Sequence, residues 1–147
     1  MNHIHGELFR VLKIGKPYVL SVYRFILGFL FIEHGFQKIF GLLGSRMQPE
    51  PLTLMWTAGM LELVGGILLM VGLFTRSTAF ILSGFMAVAY FMVHASSGFW
   101  PVMNKGEVAA LYSFSFFLLI FLGGGRWSID ALFCKKSACC CEGKKEK

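Results

Sequence analysis

Two histidines, two glutamates, a glutamine and a lysine lie inside segments otherwise built from Leu, Ile, Val, Phe and Gly: Glu33, His34, Gln37 and Lys38 close together, Glu62 further on, and His94 alone. A carboxylate and imidazoles at membrane depth can exchange protons, and an ammonium beside them can offset negative charge on a ligand. Glu62, His94 and His34 are therefore the candidate catalytic groups. Glu62 and His94 would accept or deliver protons, His34 would hydrogen-bond a ligand oxygen, and Lys38 would balance charge. Glu33, Gln37 and Arg24 complete the candidate ligand-binding set. The same residues also suit an internal hydrogen-bonded cluster that keeps helices in register. No metal is expected, since the His and Glu residues come from separate segments without a short-range ligand motif.

The elements that must position these groups are long apolar helices. The 147-residue chain is 56% hydrophobic and 15% charged, with mean hydropathy +0.65, more apolar surface than one small soluble core can hide. A spanning helix needs about 20 mostly apolar residues. Four stretches qualify, near 18–40, 52–74, 77–97 and 107–122, each bounded by Pro, Gly or charge. Pro17 suits a first-turn position, and the triple glycine Gly123, Gly124, Gly125 ends the fourth helix. The first stretch carries internal charge and lacks a small-residue cleavage site, so it reads as a retained span and not a signal peptide.

The net charge of +6 reads as topology and not as nucleic-acid binding, because the basic residues lie in tails and a short loop without interleaved aromatics. One side of the bilayer receives Arg10, Lys13, Lys16, Arg76, Arg126, Lys135, Lys136, Lys144, Lys145 and Lys147. The other receives Lys38, Arg46 and Lys105. The positive-inside rule then places both termini in the cytoplasm. The expected fold is an all-α integral membrane four-helix bundle, up-down-up-down. An N-terminal cytoplasmic segment covers 1–17, the membrane domain 18–130 and a basic Cys-rich cytoplasmic tail 131–147. In this frame the first three helices bring polar groups to one layer between the midplane and the outer surface. Trp56, Trp100, Tyr18, Tyr23 and Trp127 stand where interfacial aromatics do.

Arg24 falls in the inner half of the first helix, two turns or more from Lys38. Asp130, just after the fourth helix, is its candidate partner: as a structural pair they would pin the first helix to the closing segment, and otherwise Arg24 would serve a quinone-head or anion site. Gly28, Gly35, Gly59, Gly65, Gly66 and Gly84 are small residues that let helices approach closely. Cys134 and Cys139-Cys140-Cys141 lack zinc spacing. They suit a basic tail beside anionic headgroups, thiol exchange with a soluble partner, or soft-metal binding.

The order Arg24, His34-Gly35-Phe36-Gln37-Lys38, then Glu62 before Gly65-Gly66 resembles the DoxX family of small membrane proteins. Gly72-Leu73-Phe74-Thr75-Arg76, Ala89, His94, Phe99-Trp100-Pro101, Asn104-Lys105-Gly106-Glu107 and the closing Gly123 to Asp130 agree with it, so the resemblance covers about 18–130. It implies a four-helix protein of the prokaryotic inner membrane. The family is named for a subunit of a thiosulfate:quinone oxidoreductase, and other members are linked to membrane redox complexes that manage oxidative or thiol stress. The expected function is thus a redox-associated membrane subunit that binds a quinone or small sulfur compound in the outer polar cluster, beside a redox partner protein and in a lipid bilayer, with oligomers allowed. No flavin, haem or iron-sulfur motif is present. A small transporter and a non-catalytic membrane scaffold are the alternatives that the same cluster permits.

Overall fold

The computed structural model describes residues 2–42 and 49–137, with side chains described for 15–42 and 49–133. Among these residues helix is the regular secondary structure, without strands. Helix α1 (Asn2–Phe40) is followed by α2 (Leu54–Val71) and α3 (Thr75–Ala89), which continues through a π-helical turn, Tyr90–His94, and a 3-10 turn, Ala95–Ser97. A short α4 (Pro101–Asn104) leads into α5 (Glu107–Leu122) and a final α6 (Ile129–Ser137). Gly15–Phe40, Leu54–Val71 and Thr75–Ser97 are each long and apolar enough to cross a membrane, whereas α5 is a shorter apolar helix.

The first helix differs from expectation. It begins at Asn2 and carries Pro17 internally, so residues 2–17 extend α1 where a separate segment was expected. Proline removes one donor from the helix but keeps its own carbonyl. The Pro17 carbonyl accepts from the Ser21 hydroxyl at 2.9 Å and from the Arg126 amide at 3.1 Å, which ties this turn to the far end of the chain. Arg46 and the Cys139–Cys141 run lie outside the described residues.

Small residues set the helix spacing. A Cβ on Gly28 would stand 2.8 Å from the Gly66 carbonyl oxygen and the Met70 amide nitrogen, and one on Gly35 would stand 2.8 Å from the Leu63 nitrogen. As α1 advances from 28 to 35 its neighbour on α2 moves back from 66 to 63, so the two helices run antiparallel with their backbones touching. The α3–α5 pair is fastened by reciprocal bonds, Ser83 hydroxyl to Ser113 carbonyl at 2.9 Å and Ser113 hydroxyl to Ser83 carbonyl at 3.0 Å. Between the two pairs lies the core, where Phe31 packs edge-on against Phe116 with ring centroids 4.9 Å apart, beside buried Leu69, Leu82 and Leu119. Phe80, Phe91, Leu111 and Phe114 point outward and are exposed, the apolar belt that lipid covers.

Candidate functional site

Each end of the bundle carries polar machinery, and the middle of α2 carries a third group. Glu62 is the buried acid, 3% exposed and one turn from Gly59 and from Gly66, where α1 lies close. Its Oε1 accepts from the Lys38 ammonium at 2.5 Å. Lys38 is partly open, with 31% of its side chain exposed, so the pair runs from the interior toward the end of α1. Its second carboxylate oxygen, Oε2, is buried and has no hydrogen-bond partner. A carboxylate oxygen withdrawn from water without a donor costs on the order of 1–3 kcal/mol or more, a debt that a ligand hydroxyl, a proton or a water removes.

His34 and Glu33 lie on α1, half-buried, as does Gln37. His34 meets Tyr112 of α5 edge to face at 5.7 Å, and Tyr112 packs on Phe31 and Phe116. The imidazole thus borders α5. Tyr112 was not among the expected site residues, because an aromatic in an apolar helix is more often core than site.

His94 is held by other partners. It belongs to a separate network at the α3–α4 corner, where its Nδ1–H donates to the Asn104 carbonyl at 3.1 Å and its ring stacks on Tyr90. The Asn104 amide nitrogen donates to the Gly98 carbonyl at 2.7 Å and to the Tyr90 hydroxyl at 3.2 Å, and the Asn104 side-chain oxygen accepts from the Gly106 amide at 2.8 Å. Tyr90 in turn donates to the Phe99 carbonyl. The π-helical turn is the physical reason: one turn wound with an extra residue rotates His94 away from the angle that a regular helix gives it. Because a carbonyl only accepts, Nδ1 is the donor in this contact.

The expected Arg24–Asp130 ion pair is also replaced, although both residues serve one junction. Arg24 is 2% exposed, and its guanidinium donates to the carbonyls of Gly124 and Met70, both at 2.8 Å, of Trp127 at 2.6 Å, and of Leu69. A planar fork of five donors suits several fixed carbonyls better than one carboxylate does. Asp130 instead caps α3: its Oδ1 accepts from the Phe74 amide at 2.8 Å and its Oδ2 from the Thr75 amide at 2.7 Å, while its own amide donates to the Gly72 carbonyl at 3.0 Å. Gly72 (φ +73°) and Gly125 (φ +75°) hold left-handed backbone where a Cβ would strike the Ser128 Cβ at 2.5 Å or the Ser21 hydroxyl at 2.4 Å. Ser21 also accepts from the Trp127 amide at 2.9 Å. Asp130→Asn keeps the shape but only one acceptor oxygen at the α3 terminus, and it is expected to lower stability by about 1 kcal/mol, read as the thermal midpoint in detergent.

Apolar helices of spanning length and backbones in contact at glycines define a multi-pass membrane protein, with a lysine–glutamate pair inside it. Residues 19–95 match the DoxX family, and the chain belongs to it. An uncharacterized protein of Haemophilus influenzae is 43% identical over 129 residues, covering 82% of this chain and 95% of that protein. The Escherichia coli inner membrane protein YqjF is 32% identical over 121 residues, covering 78% of this chain and 92% of that protein. The chain is accordingly a multi-pass protein of the inner membrane. No solved structure matches it.

Proposed function

We propose that this protein is a four-span, redox-associated membrane subunit that binds a quinone or small sulfur compound beside Glu62. The observation that carries the reading is the buried, unpartnered Oε2 of a carboxylate whose other oxygen is held by Lys38. A hydroquinone hydroxyl or a thiol would donate to Oε2. The remaining N–H groups of Lys38 would meet an oxygen or sulfur that carries negative charge. Glu62 would accept the proton that such a ligand sheds on oxidation, and His34 would hydrogen-bond it from the α5 side. Electrons would leave to a redox partner protein. His94, held in its own network, stays outside this site.

In this reading α5 is the fourth span. Its 16 residues reach about 24 Å, and the serine exchange with α3 keeps it beside a full-length span. Both termini are cytoplasmic by the distribution of basic residues, the Lys38 end of the bundle faces outward and the Arg24 junction faces inward.

The test is mass spectrometry of quinones and sulfur compounds carried through gentle purification, comparing wild type with Glu62→Gln at matched folding. Glutamine keeps the shape and an acceptor for Lys38 but turns a charged acceptor into a neutral amide, and the bound ligand is expected to fall by about tenfold. Equal content in both proteins, or none in either, would leave the polar pair as the fastening of a scaffold.

A further inference from the structure

A second site lies at the opposite end of the bundle, independent of the ligand proposed for Glu62. Between the start of α3 and the glycine segment after α5 opens a cleft of about 370 Å³. Its walls differ in charge. The exposed Arg76 lies on one side, its Nε 3.4 Å from where a Gly123 Cβ would be, and the Asp130 carboxylate lies on the other. The amides of Arg76 and Ser77 stand in the first turn of α3, before the first intrahelical bond from Thr78 to Phe74, so they have no acceptor within the helix.

Thr75 adds the decisive observation. It also lines the cleft, is 0% exposed, and its hydroxyl has no partner. That hydroxyl stands 2.8 Å from the point where a Gly124 side chain would begin, and the Ser128 hydroxyl stands equally near the same point. Both hydroxyls thus press on the Gly124 backbone at the wall of the cleft, where even a Cβ would not fit. The junction of α2 and α3 joins two spans across three residues, 72–74, so the cleft sits at the level of the bilayer surface, where lipid headgroups are.

We infer that this cleft binds the headgroup of a phospholipid that carries an ammonium group, phosphatidylethanolamine in chemical class. The phosphate sits against the Arg76 guanidinium and the first-turn amides of α3, with the Thr75 hydroxyl donating to one of its oxygens. The ammonium faces Asp130, whose two oxygens each spend one acceptor site on the α3 cap and keep others free. A purely anionic headgroup gains from Arg76 but meets the aspartate unscreened. A trimethylated headgroup cannot donate to the carboxylate. The pair of opposite charges thus selects a zwitterion with N–H groups.

The full chain in mild detergent, offered equal amounts of phosphatidylethanolamine, phosphatidylcholine and phosphatidylglycerol, tests this by native mass spectrometry. Wild type is expected to retain the ethanolamine lipid preferentially. Arg76→Gln and Thr75→Val should each reduce that retention, Arg76→Gln by about tenfold, while Arg126→Gln, whose exposed guanidinium stacks on Tyr18 outside the cleft, leaves it unchanged. Arg76 is exposed, so its loss does not threaten folding. Equal retention of the three lipids by wild type, or unchanged retention by Arg76→Gln, overturns the site. Equal retention of the glycerol lipid overturns the role of Asp130. Soluble phosphoethanolamine binding lipid-free protein as tightly as the lipid does overturns the lipid as its source.

Discussion

Replacing Arg24 with methionine is expected to destabilise the folded protein by about 3 kcal/mol, among the largest losses that one substitution can cause here. Methionine preserves much of the volume, so a cavity is not the main cause. The loss comes from four carbonyls, those of Leu69, Met70, Gly124 and Trp127, which give up charge-assisted donors around a buried side chain. Leu69 retains a bond from the Gly72 amide, so the damage concentrates on the closing segment. Arg24→Lys should recover less than half of the loss, because one ammonium cannot reach carbonyls from α2 and from both Gly124 and Trp127 at once. Detergent or thermal unfolding of purified protein reads both variants. A methionine variant within about 1 kcal/mol of wild type would show that the carbonyls find other donors.

Gly28→Leu is the second large effect, about 2–3 kcal/mol by overpacking. Alone on a surface, leucine would improve a helix by up to about 1 kcal/mol over glycine. At Gly28 the obstacles are backbone atoms of Gly66 and Met70, which no rotamer change moves, so α1 and α2 must separate along their length. The matched control is Gly84→Leu: nothing stands within 4 Å of a Cβ there, and the leucine would face lipid, so stability should hold or rise. Equal destabilisation by the two substitutions would mean that glycine matters in these helices for some reason other than close approach. A neighbour of Gly28, such as Gly66→Leu, should add little to it, since both open one crossing.

Much of this architecture was legible because lipid imposes simple patterns. Apolar runs bounded by Pro, Gly and charge located the helices, and α5 matches the expected 107–122 at both ends. Pro17 misled, since the helix tolerates it by lending its carbonyl to Ser21 and Arg126. The polar residues were found by being out of place in apolar segments, and depth along the helix put Lys38 and Glu62 in one layer without pairing them. Rotation was harder to read. His94 was aligned with Glu62 by depth, but the π-helical turn lies in a stretch, Tyr90–His94, that carries no Pro or Gly to announce it. Arg24 and Asp130 were expected to pair with each other. Their actual partners are backbone carbonyls and amides, which every residue carries and no side-chain pattern marks. Asn104 and Thr75 stood only as landmarks of the resemblance, and Ser21 was not singled out, for a related reason: short polar side chains become meaningful only when a turn brings backbone groups within their reach.

The arginine of α1 makes its bonds with two stretches of chain that are synthesised at different times. When the first two helices enter the membrane, the Leu69 and Met70 carbonyls already exist, whereas those of Gly124 and Trp127 arrive about fifty residues later, after α3 and α5. Until then a guanidinium within an apolar span holds only part of its acceptors. The closing segment thus completes a bond network that the first helix began: a product broken off after α5 carries every long helix and still lacks the Gly124 and Trp127 acceptors of the arginine.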